Sequence, residues 1–116
     1  MVKKHTNMSF IATENKGFGM TFDNGFTISV QWGTMNYCEK KNLGAEYKDE
    51  MKEPTWKSTT AEIAVFNDTG IVPVGSSDDV IGWCSADEVA KAITIVQSAH
   101  PDNQEEMVEE IKSLKI

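Results

Sequence analysis

The sequence contains no arginine. Its basic residues are 11 lysines set against 18 Asp and Glu, for a net charge of −7 at pH 7. Any phosphate or carboxylate it binds must be held by Lys point charges or backbone N–H groups, without the bidentate guanidinium fork. The acidic balance excludes a protein that wraps nucleic-acid phosphates non-specifically, because that needs a basic face. Cysteine is scarce too. Cys38 and Cys84 stand alone with no C-x-x-C spacing. With no secretion signal before them, they read as reduced, half-buried thiols of a cytoplasmic protein rather than as a disulfide. Long apolar runs are missing: nothing approaches the roughly 20 residues of a membrane span, and Met1–Asn7 leads into no signal-peptide core.

What remains is ordinary for a globular chain. Hydrophobic residues make up 40% and charged residues 25% of 116. That is one domain over 1–116, large enough to bury roughly 60–70% of its unfolded surface.

The strongest local signal runs from Gly17 to Trp32, two β-type runs separated by Asp23-Asn24-Gly25. A two-residue Asn-Gly turn would scatter the apolar groups over both faces. A three-residue loop with Gly25 in the left-handed bulge position pairs Phe22 with Phe26, Met20 with Ile28 and Phe18 with Val30. One face then carries Phe18, Met20, Phe22, Phe26, Ile28, Val30 and Trp32, and the other Gly17, Gly19, Thr21, Thr27, Ser29 and Gln31. Because a one-residue slip moves side chains across the sheet, the three-residue loop is the expected register.

Further strands are expected at Met8–Thr13, Ala61–Phe66 and Val80–Cys84, with an edge strand Ile71–Val74 that tolerates Pro73. Ser85 and Glu88 form a capping box ahead of Val89, Ala92, Ile93 and Val96 at helical spacing. Asp102 is expected to cap a second helix, with Met107, Val108, Ile111 and Leu114 as its apolar stripe. The fold class is α+β: an antiparallel sheet of about four to six strands with two C-terminal helices on one face. A long loop at 33–60 breaks the pattern, with Leu43, Tyr47 and Met51 spaced for a short helix. Connections this long inside compact domains are usually functional or disordered.

The catalytic inventory is thin. His5 and His100 are the only histidines, and no G-x-S-x-G, phosphate-binding loop, H-E-x-x-H or dinucleotide fingerprint is present. A Cys–His pair from Cys38 or Cys84 with His100 would have to form in space. A zinc site from His5, Cys38, Cys84 and His100 lacks the usual clustered spacing. No catalytic residue, metal ligand or cofactor is assigned, and a non-enzyme is expected.

Binding surfaces are better represented. The hairpin face of Gly19, Thr21, Thr27, Ser29 and Gln31 is small and uncharged, which suits close approach of a ligand, a partner or this chain's own loop. Tyr37, Trp56 and Trp83 lie outside the hairpin core and are candidates to stack on a base or anchor a partner. For Trp83, alternation with Ile81 makes a core position the simpler expectation. The acidic groups Asp49, Glu50, Glu53, Asp78, Asp79, Glu105, Glu106, Glu109 and Glu110 either imitate nucleic acid or solvate helix and loop faces. The interleaved lysines favour the solvated face.

Gly17–Cys38, with Ala61–Gly70 and Gly82–Ile93, resembles a set of small proteins encoded by phages and prophages, over somewhat under half of the chain. The Asn24-Gly25 turn, the Ser29-Val30-Gln31 run and Asn36-Tyr37-Cys38 carry that likeness. In size and layout the chain is also similar to phage anti-Thoeris proteins, which sequester a cyclic ADP-ribose-type signal in symmetric assemblies. That resemblance implies an aromatic on the base and basic side chains on the phosphates. The lack of arginine departs from it, and no ligand residue is carried over from that family. The expected function is a non-catalytic anti-defence binding protein in the host cytoplasm, homo-oligomeric, taking a nucleotide-type ligand through Tyr37, Lys40, Lys41, Trp56 and Trp83. The backbone of Gly75-Ser76-Ser77 would help hold its phosphates. The alternative is an acidic inhibitor of a host nuclease or other defence protein.

Overall fold

The computed structural model describes residues 8–43 and 52–115. Six antiparallel strands form one sheet: β1 (Ser9–Thr13), β2 (Gly17–Thr21), β3 (Thr27–Gln31), β4 (Ala61–Asn67), β5 (Gly70–Val72) and β6 (Ile81–Cys84). Strands β1 to β4 lie in chain order. The far edge of β4 is shared: its C-terminal half pairs with β5 and its N-terminal half with β6. Two helices follow, α1 (Ala86–Ser98) and α2 (Gln104–Lys112), and the chain turns through a 3-10 segment at Ser113–Lys115. The α+β arrangement expected from the sequence is the one observed.

The central hairpin adopts the three-residue register. Phe18 faces Val30 and Met20 faces Ile28. Gly25 sits at φ 92°, its N–H donating to Phe22 O at 2.9 Å while Phe22 N–H donates to Phe26 O at 2.9 Å. Burial selects this pairing, since it sends Phe22, Phe26, Ile28 and Val30 into the core. Ile63, Val65 and Val72 extend the buried face across β4 and β5. Ala92 and Val96 of α1 and Met107 and Ile111 of α2 cover it.

Helix α1 begins at the expected capping box. Glu88 N–H donates to Ser85 Oγ at 3.1 Å, and Ser85 N–H to the Glu88 carboxylate at 2.8 Å. Its other end has no glycine cap and no basic residue in the last turn. Asn24 of the hairpin turn substitutes: its Nδ2 donates to Val96 O and Ala99 O, both at 2.8 Å, and to Gln97 O at 3.2 Å. One side chain thus satisfies helix-end carbonyls that would otherwise need water or a cap. Helix α2 departs from expectation. Asn103, not Asp102, is its N-cap, without a side-chain hydrogen bond. Asp102 is taken up by the preceding turn, where its N–H donates to His100 Nδ1 at 3.1 Å.

Of the 33–60 connection, 33–43 and 52–60 are described. The expected Leu43–Tyr47–Met51 helix lies mostly outside the described residues. The second part is fastened to the end of β3 by a reciprocal clasp. Trp56 Nε1 donates to Trp32 O at 2.8 Å, and Trp32 Nε1 to Trp56 O at 3.2 Å. Each indole body stays apolar while its one donor is satisfied.

Candidate functional site

Strand β6 is irregular where it matters. Cys84 pairs with Ala61 and Ile81 with Ile63, so Gly82 and Trp83 together face the single residue Glu62. This is a β-bulge, which re-aims a side chain. Trp83 takes up the extra length in the left-handed region, at φ 51°. That conformation costs a non-glycine residue about 1–2 kcal/mol.

The bulge is held by the loop after β3. Glu62 accepts from Tyr37 N–H at 2.8 Å and from Asn36 Nδ2 at 3.3 Å. Asn36 Oδ1 in turn accepts from Gly33 N–H at 2.8 Å. Tyr37 then lies against Gly82 so closely that a Cβ there would fall 2.5 Å from Tyr37 Cβ, and only glycine fits. Trp83 N–H donates to Tyr37 O at 2.8 Å.

The result is a surface ring pair. Trp83 is 53% exposed, and its ring lies 5.6 Å from that of Tyr37 at an interplanar angle of 32°. This corrects the expectation that Trp83 is core: alternation with Ile81 holds only for a regular strand, and the bulge breaks it. Lys41 Nζ stands 4.9 Å from the Tyr37 ring centroid, a cation–π contact. Lys115 Nζ donates to Trp83 O at 2.8 Å and to the Glu88 carboxylate at 3.2 Å. The Ser85 N–H bond, then Lys115, hold the Glu88 carboxyl below the usual carboxylate range.

Beside Gly82 lies a cleft of about 280 Å³, lined by Gly75, Ser76, Ser77, Asp78, Lys112 and Lys115 among others. The Gly75-Ser76-Ser77 segment is therefore near two lysines, but these are Lys112 and Lys115, not Lys40 and Lys41. Nothing in the linear spacing brings the last turn of the chain to this loop. A hint exists only in Lys112 and Lys115, the two lysines that follow the acidic run of α2.

The five expected ligand residues fall into two groups. Tyr37, Lys41 and Trp83 form one cluster, in which Trp83 is exposed and the other two are half-buried. Lys40 and Trp56 form another, with Lys40 Nζ 5.5 Å from the Trp56 ring. Trp56 is only 9% exposed, and with the Trp32 clasp this makes it a structural tryptophan rather than a stacking platform. Nearby, Glu39 is held below its ordinary value by hydrogen bonds from the Thr59 hydroxyl and N–H, with Lys40 adding to the effect.

The uncharged hairpin face is partly occupied by its own chain. Gly19 is buried, and a Cβ there would meet Ile11 side-chain atoms at 3.4 Å. Thr21 and Thr27 share a hydroxyl hydrogen bond at 2.8 Å, and Gln31 Nε2 donates to Ser29 Oγ at 3.2 Å. Asn36 reaches Gln31 Oε1 at 3.4 Å and covers that end of the face.

Both cysteines are free and buried. Cys38 Sγ donates to Gly33 O, and Cys84 Sγ lies near Ile81 O and Gly82 O. Burial pushes the Cys84 thiol up to about 11. His100 is engaged with Asp102, and His5 lies outside the described residues. No group of three or more His, Cys, Asp or Glu is placed to hold a metal ion among the described residues. None of the described helices is long and apolar enough to cross a membrane. In comparisons with protein-family models, curated proteins and solved structures, nothing matches this chain.

Proposed function

We propose that this chain is a non-catalytic binding protein whose ligand is a small nucleotide-type molecule. Its biological setting in this reading is phage-encoded countermeasure to a host defence signal, acting in the host cytoplasm. The observation that carries the reading is Trp83, a large aromatic kept at the surface in a strained backbone conformation. Strain of this kind persists where the surroundings over-determine it, and it concentrates at ligand clamps. The ring pair offers a stacking platform worth about 1–3 kcal/mol per base. Lys41, Lys112 and Lys115, with the Gly75-Ser76-Ser77 loop, supply the cationic and backbone groups that phosphates need in a chain without arginine.

Titration of the protein with cyclic ADP-ribose, followed by calorimetry, tests this directly. Binding is expected, and Trp83→Ala should weaken it about tenfold or more, while Trp56→Phe should leave it within about twofold. A Trp83→Ala protein that binds as tightly as the parent removes the reading.

A second reading rests on α2, where Glu105, Glu106, Glu109 and Glu110 are all exposed. That acidic face suits a protein inhibitor that occupies a nucleic-acid site on a host nuclease. Its association should weaken steeply with salt, since such steering is screened over about 10 Å at 0.1 M.

A further inference from the structure

Among the described residues, the sheet has one open edge without the usual protection. Strand β5 is three residues long and runs straight into Pro73, which cannot extend a ladder. The outer side of β6 already gives the Trp83 N–H to Tyr37 O. Strand β1 differs. It pairs only with β2, and it carries no lysine, no proline and no bulge, the devices that blunt natural edges. Its side chains stand exposed on both faces, Phe10 84% and Ile11 47% exposed, and Met8 just before the strand is 59% exposed. Helix α1 packs across β3, β4 and β6, leaving Met8 and Phe10 beyond the helical layer.

Charge narrows the choice of partner. The chain carries −7 overall, so most faces of two copies repel. Strands β1, β2 and β3 hold no ionisable side chain at all. This three-stranded end is where two copies can approach without bringing like charges together.

We infer that β1 is the edge of a two-fold symmetric dimer, in which the strands of two copies pair antiparallel and join two sheets into one. The strand is self-complementary about Ile11. Ile11 faces its own symmetry mate, Phe10 faces Ala12 of the other copy, and Ser9 faces Thr13. The two Phe10 rings become diagonal neighbours on one face, about 7–8 Å apart and within reach of each other. An isologous contact of this kind closes on itself and does not propagate into fibres. Five residues span about 17 Å. Their pairing, which brings the large side chains Phe10 and Ile11 from each copy, lies at the small end of specific interfaces, under the roughly 800 Å² per partner of the standard size. The dimer is therefore expected to dissociate on dilution. It stands independently of the ligand proposed above, because Trp83 lies on β6 and not at this edge.

Sedimentation velocity across about 1–200 μM protein, at low and high salt, is the test. Wild type should pass from monomer to dimer over that range, with little salt dependence. Phe10→Lys, at a position already exposed in the monomer, and Ile11→Lys, which sets two cations face to face on the axis, should each raise the dissociation constant at least tenfold. Circular dichroism should show both variants folded. A wild type that stays monomeric throughout, a larger assembly, or a dimer that survives both lysines would overturn the inference.

Discussion

At the scale of the residue, Trp83 concentrates what is unusual here. A tryptophan at φ 51° gains contact with Tyr37 but carries backbone strain that glycine would not. The two effects separate in a pair of variants. Trp83→Ala and Trp83→Gly both lose the ring, yet only glycine relieves the left-handed backbone. The glycine variant should be the more stable by about 1 kcal/mol in denaturant unfolding. In a regular strand the order would reverse, so an alanine variant of equal or greater stability argues against the bulge. Cys84 offers a second prediction. Its thiol is buried and pushed up to about 11, so little thiolate exists near neutral pH. Thiol reagents at pH 7.5 should leave it unlabelled in the native protein and modify it once the chain is unfolded. The exposure of Trp83 is not readable from the letters, because alternation places it inside. For Cys84 the sequence gives a reduced, half-buried thiol, and the structure shows it free and buried.

Among the secondary-structure elements, local signals and long-range substitutes divide the work. The start of α1 is local: Ser85 and Glu88 complete a capping box within four residues, and the sequence announces it. The end of α1 is not. It depends on Asn24, more than seventy positions earlier, donating to Val96 O, Gln97 O and Ala99 O. The Asn24-Gly25 pair reads as turn chemistry, and that reading is correct for Gly25, the residue at positive φ. The Asn24 side chain has a separate task. Asn24→Asp keeps the acceptor used by Phe26 N–H but replaces the donor with an anion at the negative end of a helix. It should cost about 1–2 kcal/mol or more in thermal or urea unfolding, and more than Asn24→Ser. Equal stabilities would mean that water caps the helix as well as Asn24 does.

Over the whole molecule, the proton balance bounds stability from both sides. Glu88 and Glu39 have carboxyls held below their ordinary values, by the Ser85 N–H and by Thr59 respectively. Their contribution is complete above the usual carboxylate range and is lost as pH falls through the lowered folded values. Cys84 works in the opposite direction. Its raised value means that the unfolded chain gives up the proton first, so stability declines as pH rises through the ordinary thiol range towards about 11. A broad plateau around neutrality is expected in the unfolding midpoint. Glu88→Gln should flatten its acid limb and Cys84→Ala its alkaline limb. The Trp32–Trp56 clasp belongs to this scale too, since it ties the second part of the long connection back to the end of β3. Replacing the buried Trp56 by alanine should cost about 3–5 kcal/mol, far more than the same change at exposed Trp83.

The sequence by itself determined the elements whose causes are local. The hairpin register followed from sorting apolar side chains to one face, the helix start from a four-residue cap, and the fold class from the run of strands followed by two amphipathic stretches. Tertiary structure decided which chemistry meets. It brought Tyr37 and Lys41 to Trp83, left Lys40 with a buried Trp56, and carried Lys112 and Lys115 to the Gly75–Ser77 loop. It also decided that Asn24 would end a distant helix and that Phe10 would stand at an open edge. The physical reason is common to these cases. Periodicity and capping energies act over a few residues. A bulge, a helix end or a sheet edge is satisfied by whichever group the fold delivers, from any distance along the chain.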